Sequence, residues 1–170
     1  NMNKLKPLLL ILSLIIITLF ITNVSATSDV FFKTTGEAPT QQAGDTAIRG
    51  LKFTATAPGN LTGVTKYSNN DGTSVALYYA NQTNIANATF SGNNATFSTP
   101  ILLISGTAYY IGAVGKTNDA WGDNTISFPY VLTNITFDSS VDITNGFLDQ
   151  TNVVRDFDCI TVSYESGPPP

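Results

Sequence analysis

The sequence predicts an all-β fold, a jelly-roll-like antiparallel β-sandwich, with an immunoglobulin-like sandwich as the alternative. Three observations carry this. Gly, Asn, Asp, Ser and Thr interrupt the chain about every 8 to 12 residues, the spacing of short strands in sandwiches and barrels. Between these breaks β-branched and aromatic residues are frequent, and no long window repeats with a helical period. The single Cys, and a single Trp set among polar residues, do not supply the Cys pair and buried Trp that mark many immunoglobulin domains. The jelly roll therefore ranks first.

The chain opens with Lys4 and Lys6, then an apolar run from Leu8 to Ile21 broken only by Ser13 and Thr18, then Val24-Ser25-Ala26. A basic start, an apolar stretch and small residues at its end make the three-part pattern of a secretory signal. The run is shorter than the roughly 20 residues that cross a bilayer core as a helix. Cleavage is expected after Ala26, with an uncleaved anchor as the alternative. The expected organisation is a signal peptide over 1–26, a β-sandwich domain over 27–165, and a Pro-rich tail or start of a linker over 166–170.

Within the domain, Val30-Phe31-Phe32-Lys33 reads as a first strand, and residues 36–44, with Pro39 among them, as a loop. Residues 47–55 alternate, with Leu51 and Phe53 on one face and Gly50, Lys52 and Thr54 on the other. Pro58-Gly59-Asn60 is a turn into a strand over 61–67. Asn70-Asp71-Gly72 signals a hairpin, since Asp and Gly accept the left-handed backbone of a tight primed turn. Residues 73–80 then place Val75, Leu77 and Tyr79 on one face and Ala76 and Tyr78 on the other. Residues 85–90 and 94–98 flank Ser91-Gly92-Asn93 as a short hairpin or two steps of an edge region, closed by Pro100, which cannot donate to a central ladder.

The apolar run 101–104 precedes a strand over 107–115, where Gly112 implies a bulge or a close approach by a neighbour. Residues 116–124 read as a long polar loop holding Trp121. Residues 125–128, 130–132 and 134–137 read as short strands, and 138–149 as a loop with one turn at Asn145-Gly146. A last strand over 158–164 carries Ile160, Val162 and Tyr164 on its core face.

Composition narrows function. There are 8 Lys and Arg against 12 Asp and Glu, no His and one Cys, for a formal charge of -4. Without His there is no Ser-His-Asp triad, no imidazole base and no His-containing zinc site. One Cys makes no internal disulfide or cysteine cluster. The acidic balance opposes a nucleic-acid groove. A glycosidase needs two facing carboxylates. Asp156 and Asp158 share one strand face, where one could pair with an acid elsewhere, but nothing else marks them. Glu37 and Glu165, the only glutamates, lie near the ends of the domain. The expectation is a non-enzyme.

Gly50-Leu51-Lys52-Phe53-Thr54-Ala55, Gly63-Val64 and Val75-Ala76-Leu77-Tyr78, followed by Leu103-Ile104-Ser105-Gly106-Thr107-Ala108-Tyr109-Tyr110-Ile111-Gly112, carry a resemblance. Together they resemble secreted bacterial and archaeal β-sandwich surface modules, which often precede a C-terminal anchor. The resemblance spans about residues 47 to 115. It implies a sandwich fold and a place outside the cell, and several such modules are compared with carbohydrate-binding modules. The chain departs from the pattern at Asn81-Gln82-Thr83-Asn84, where a Gly- and Pro-containing turn is usual.

The expected role is therefore a secreted or cell-surface structural or adhesive module, with carbohydrate binding as the alternative. For a glycan or surface partner the candidate contacts are Trp121, Tyr110 and Tyr78, because pyranose C–H faces stack on exposed rings. Asn60, Asn81, Asn87, Asn94 and Asn134 begin Asn-x-Thr acceptor motifs. Asp119, Asp123 and Asn124, with Asp138 and Asp142 as further oxygen donors, are the candidates for a structural Ca²⁺, the one cofactor the sequence offers. Membrane contact is expected only through the signal segment or a downstream anchor.

Overall fold

Alternation of apolar and polar residues becomes alternation of burial. In the strand Arg49–Ala55, Leu51, Phe53 and Ala55 are fully buried, while Lys52 and Thr54 are partly exposed. Successive side chains of an extended chain point to opposite faces, so this pattern buries one face of a sheet. The strand Ser74–Tyr79 behaves alike, with Val75 and Leu77 fully buried. The computed structural model describes residues 26–30, 40–44, 46–122, 127–150, 154–155 and 157–165. The predicted signal segment lies outside them except for Ala26.

Fourteen β segments occur among the described residues, and no helix. They are β1 (Ala26–Val30), β2 (Thr40–Ala43), β3 (Arg49–Ala55), β4 (Gly59–Lys66), β5 (Ser74–Tyr79), β6 (Asn84–Ser91) and β7 (Asn94–Leu103). There follow β8 (Ala108–Val114), β9 (Asn118–Gly122), β10 (Tyr130–Val131), β11 (Ile135–Asp142), β12 (Leu148–Gln150), β13 (Val154–Arg155) and β14 (Phe157–Glu165). Residues 28–164 form one compact unit. Of the other unit, residues 1–27 with 165–170, only Ala26, Thr27 and Glu165 are described.

The protein is all-β and antiparallel. Its main sheet runs β1-β14-β4-β7-β6-β5-β8-β3-β11-β10, with β12 also on β11, and a small sheet runs β13-β9-β2. The main sheet curls. Its two halves are joined where β6 and β7 pair, and that pairing lasts only from Phe90↔Ala95 to Ser91↔Asn94. Beyond it β6 follows β5 and β7 follows β4. One apolar core collects side chains from both halves, among them Leu61, Phe97 and Val162 from one and Phe53, Leu77 and Ile111 from the other.

Phe53 lies at the centre of its aromatic part. Its ring is 5.5 Å from Tyr109, stacked at 23°, and 6.0 Å from Phe137 at 45°. The Tyr109 hydroxyl reaches the core edge and accepts a hydrogen bond from the Ile104 amide at 2.8 Å. A buried Tyr thus keeps its polar end paired.

Several local expectations change. The Asn70-Asp71-Gly72 turn does not close a hairpin, since β4 pairs with β7 and β14 while β5 pairs with β6 and β8. Residues 40–43 and 118–122, read as loop, form β2 and β9 and pair with each other. Pro100 does not end its strand; β7 runs through it to Leu103. Pro is tolerated there because it falls in the irregular stretch 97–100, between Thr96 and Ile101, where the β4 register shifts and the ladder needs no amide from it. Strand β11 extends to Asp142, which shortens the expected loop to a turn before β12. The first strand ends at Val30, and residues 31–33 lie outside the described residues. Phe128 and Leu132 are not in strands, and residues 125–126 are outside the description.

Asp71 explains why the turn signal misled. Its carboxylate accepts hydrogen bonds from the Thr117 amide (2.9 Å), the Asn118 amide (3.0 Å), Asn118 Nδ2 (2.9 Å) and the Thr117 hydroxyl. It clasps the start of β9 from 46 positions away. Partial burial pushes this carboxyl up, but the hydrogen bonds outweigh it and hold Asp71 below the ordinary carboxylate range. A depressed carboxylate stabilises the fold above its unfolded pKa and loses that contribution as pH falls through the folded value. Asp71→Ala should therefore cost about 1 kcal/mol at neutral pH, allowing for the exposure of the site. Paired urea titrations should show the gap closing as pH falls below about 4.

Candidate functional site

The face of the sheet turned away from the main core carries a second cluster. Register places Ser139, Lys52, Tyr110 and Tyr78 side by side on β11, β3, β8 and β5. Tyr78 and Tyr110, two of the predicted contacts, are thus brought together as cross-strand partners. They do not form an open flat platform. The turn between β11 and β12 folds over them, and Phe147 meets Tyr110 edge-on at 4.9 Å and Tyr78 edge-on at 5.6 Å. Tyr110 is buried in consequence, and Tyr78 remains partly exposed.

Phe147 holds φ at 62°. That left-handed backbone costs a β-carbon-bearing residue roughly 1–2 kcal/mol, and the two ring contacts offset it. Beside it Ile48 and Ile143 pack over Gly112, and Val141 completes the cluster. The close approach expected at Gly112 is present without a bulge: Gly50 and Gly112 are register partners, and the two chains meet there with no room for side chains.

Charged groups brace this face. Lys52 Nζ lies 3.3 Å from Asp149 Oδ2 and 5.9 Å from the Tyr110 ring centre. Ser139 donates to Asp149 at 3.0 Å, and Thr54 donates to Asp138 at 2.7 Å. Burial lowers the Lys52 pKa, but Asp149 and the neighbouring groups raise it by more, so the net direction is up. Arg49 Nε lies 3.4 Å from Asp142, which also accepts from the Asn145 amide and side chain at 3.1 and 2.9 Å. Burial pushes Asp142 up; Asn145 and Arg49 together bring it below the ordinary range. These carboxylates act as cross-strand fasteners.

Tyr78 is flanked on the adjoining strand by an amide pair. Asn87 Nδ2 donates to Asn84 Oδ1 at 3.0 Å, and Asn84 Nδ2 donates back at 3.3 Å. On the other half of the sheet a shallow hollow of about 290 Å³ is lined by Thr62, Gly63, Thr65, Asn94, Thr96 and Thr161. Thr65 donates there to Asn94 Oδ1 at 2.8 Å.

Trp121 lies in β9, paired with Thr40 and Arg155, in the small sheet and not in a loop. Asp119 is two positions before it in the same strand, and Asp123 and Asn124 lie outside the described residues. Among the described residues no group of three or more His, Cys, Asp or Glu gathers in a way that would hold a metal ion. Of the acceptor motifs, Asn81, Asn87 and Asn94 are exposed, while Asn60 and Asn134 are half-buried.

Phe147 and the Asp71 clasp were not legible beforehand. An aromatic following Asn145-Gly146 was the only sign of the first. A search of protein-family models and of curated proteins finds no match to this chain.

Proposed function

We propose that the chain is a non-enzymatic, secreted or cell-surface β-sandwich module of jelly-roll type, with a structural or adhesive role. One observation carries this reading: the outer face of the sheet is braced. Its rings pack under Phe147, and its carboxylates tie β3 to β11 and β12. The split of β6 and β7 into two halves around one core supports the sandwich description. The signal-like N-terminus and the resemblance to secreted surface modules support the location. The test is protease shaving of intact cells that make the protein, followed by gene deletion and a cell-adhesion assay. Peptides released from the surface and reduced adhesion are expected. Resistance to shaving together with unchanged adhesion counts against the reading.

The Tyr78–Tyr110 pairing, with the Asn84–Asn87 amides beside it, favours a second reading as a carbohydrate-binding module. Aromatic faces edged by amides suit pyranose rings. On a glycan array, run with calcium and with chelator, Tyr78→Ala should then lower binding at least tenfold, and Trp121→Ala reports on the small sheet. No binding by the folded parent chain removes the second reading.

A further inference from the structure

Where β6 and β7 part company, each has one side with no strand partner among the described residues. Among the described residues, β6 over 84–89 pairs only with β5, and β7 beyond Ala95 pairs only with β4, at Thr96 and over 101–103 with a register shift between. An open edge offers unpaired amides and carbonyls to another chain, and proteins commonly guard it with Lys or other charges. Here that protection is missing. From Gly72 to Gly115 there is no Asp, Glu, Lys or Arg. The segment is rich in Thr, Ile and Tyr, and the end of β7 exposes Leu102 (63%) and, just past it, Ile104 (54%). Pro100 interrupts one edge only.

The three exposed acceptor motifs fall on this same stretch. Asn81 sits in the β5–β6 turn, Asn87 in β6 and Asn94 at the start of β7. Asn81 and Asn94 are hydrogen-bonded through Oδ1, to the Thr83 amide (3.1 Å) and the Thr65 hydroxyl (2.8 Å). That leaves Nδ2, the atom that takes a sugar, uncommitted in those bonds. Asn87 Nδ2 donates to Oδ1 of the exposed Asn84. The other two motifs differ. Asn60 is inside β4 between two partner strands, and the Asn134 carbonyl accepts from the Thr56 and Ala57 amides.

We infer that Asn81, Asn87 and Asn94 carry N-linked glycans, that Asn60 and Asn134 do not, and that these glycans guard the open edges of β6 and β7. The inference rests on the proposed export, which brings the chain to a membrane oligosaccharyltransferase. The transfer forms a bond from Asn Nδ2 to the anomeric carbon of a lipid-linked oligosaccharide. It breaks that carbon's bond to the lipid phosphate oxygen and releases the lipid phosphate and the amide proton. A hydrated, bulky glycan on each edge then blocks the approach of a second strand.

The test is site-resolved mass spectrometry of the full chain purified from the cells that make it, beside cell fractionation. Light scattering then follows enzymatic deglycosylation of the folded protein. Glycan masses on Asn81, Asn87 and Asn94 alone are expected, with loss of the monomer peak to larger species once they are removed. The variant T83A/T89A/T96A, which keeps every Asn, should aggregate likewise, whereas T62A/T136A should stay monomeric. Exported protein with bare asparagines at the three positions, or glycans on Asn60 or Asn134, overturns the inference and leaves the export reading standing. A deglycosylated chain that stays monomeric overturns the edge-guarding role. Protein found only in the cytosol overturns export and the inference together.

Discussion

Gly50→Ala is expected to destabilise the domain by more than about 3 kcal/mol, enough to remove much of the stability of an ordinary domain. A β-carbon at Gly50 would lie 1.8 Å from the Ile111 carbonyl oxygen and 2.9 Å from the Gly112 α-carbon. Both are backbone atoms of the adjacent strand, so no rotamer change relieves the clash. Strand β3 would have to move off β8, and β3 carries Phe53 and Leu51 into the core. Gly112→Ala is the informative comparison. Its β-carbon would meet the Ile143 Cδ1 tip at 2.6 Å, the Ile48 Cγ2 methyl at 2.7 Å and the Arg49 carbonyl oxygen at 3.3 Å, so the two severe contacts are with side chains, which can give where a backbone cannot. Urea denaturation of both variants should therefore rank Gly50→Ala well above Gly112→Ala. Equal losses would mean that the strands are not held as closely as described.

Phe53→Ala should cost about 3–5 kcal/mol, the range for emptying a buried aromatic site. The ring is fully buried between Tyr109 and Phe137, and each neighbour would lose an aromatic contact as well as its packing. Phe53→Leu keeps most of the volume and should cost much less. The measurement is the denaturation midpoint at constant slope, since a change of slope would signal a different unfolded state. A loss below about 1 kcal/mol for Phe53→Ala would contradict its place at the centre of the core.

The strands that alternate cleanly were legible in the sequence. Leu51 and Phe53 against Lys52 and Thr54, or Val75 and Leu77 against Tyr78, report which face is buried because period two is set by the extended backbone itself. The Ser91-Gly92-Asn93 hairpin was legible from its turn chemistry, with Gly92 supplying the left-handed position. Partners distant in sequence were not. Asp71 looks like a turn residue, and its turn chemistry is used instead to hold Thr117 and Asn118. Pro100 looks like a stop, but it sits in a register shift where no partner strand calls for its missing amide. Trp121 sits among loop-forming residues, and its strand exists through pairing with Thr40 and Arg155. The site follows the same division. Tyr78 and Tyr110 were legible as strand rings, but their pairing across β5 and β8 and the arrival of Phe147 from a turn are set by partners that no local pattern reports.

The strand order also sets a timetable for synthesis. β3 takes one neighbour from β8 and the other from β11, and β4 takes one from β7 and the other from β14. Thr62 and its partner Thr161 are 99 positions apart, and Arg49 and Asp142 are 93 apart. Contacts this remote slow folding, because the entropy of closing the loop is spent before the contacts repay it. A ribosome adding about 5–20 residues each second would release β3 through β8 several seconds before β14. During that interval the uncharged middle of the chain waits with its inner face only half covered. A holdase chaperone is most needed then, and its demand should fall once the last strand is in place.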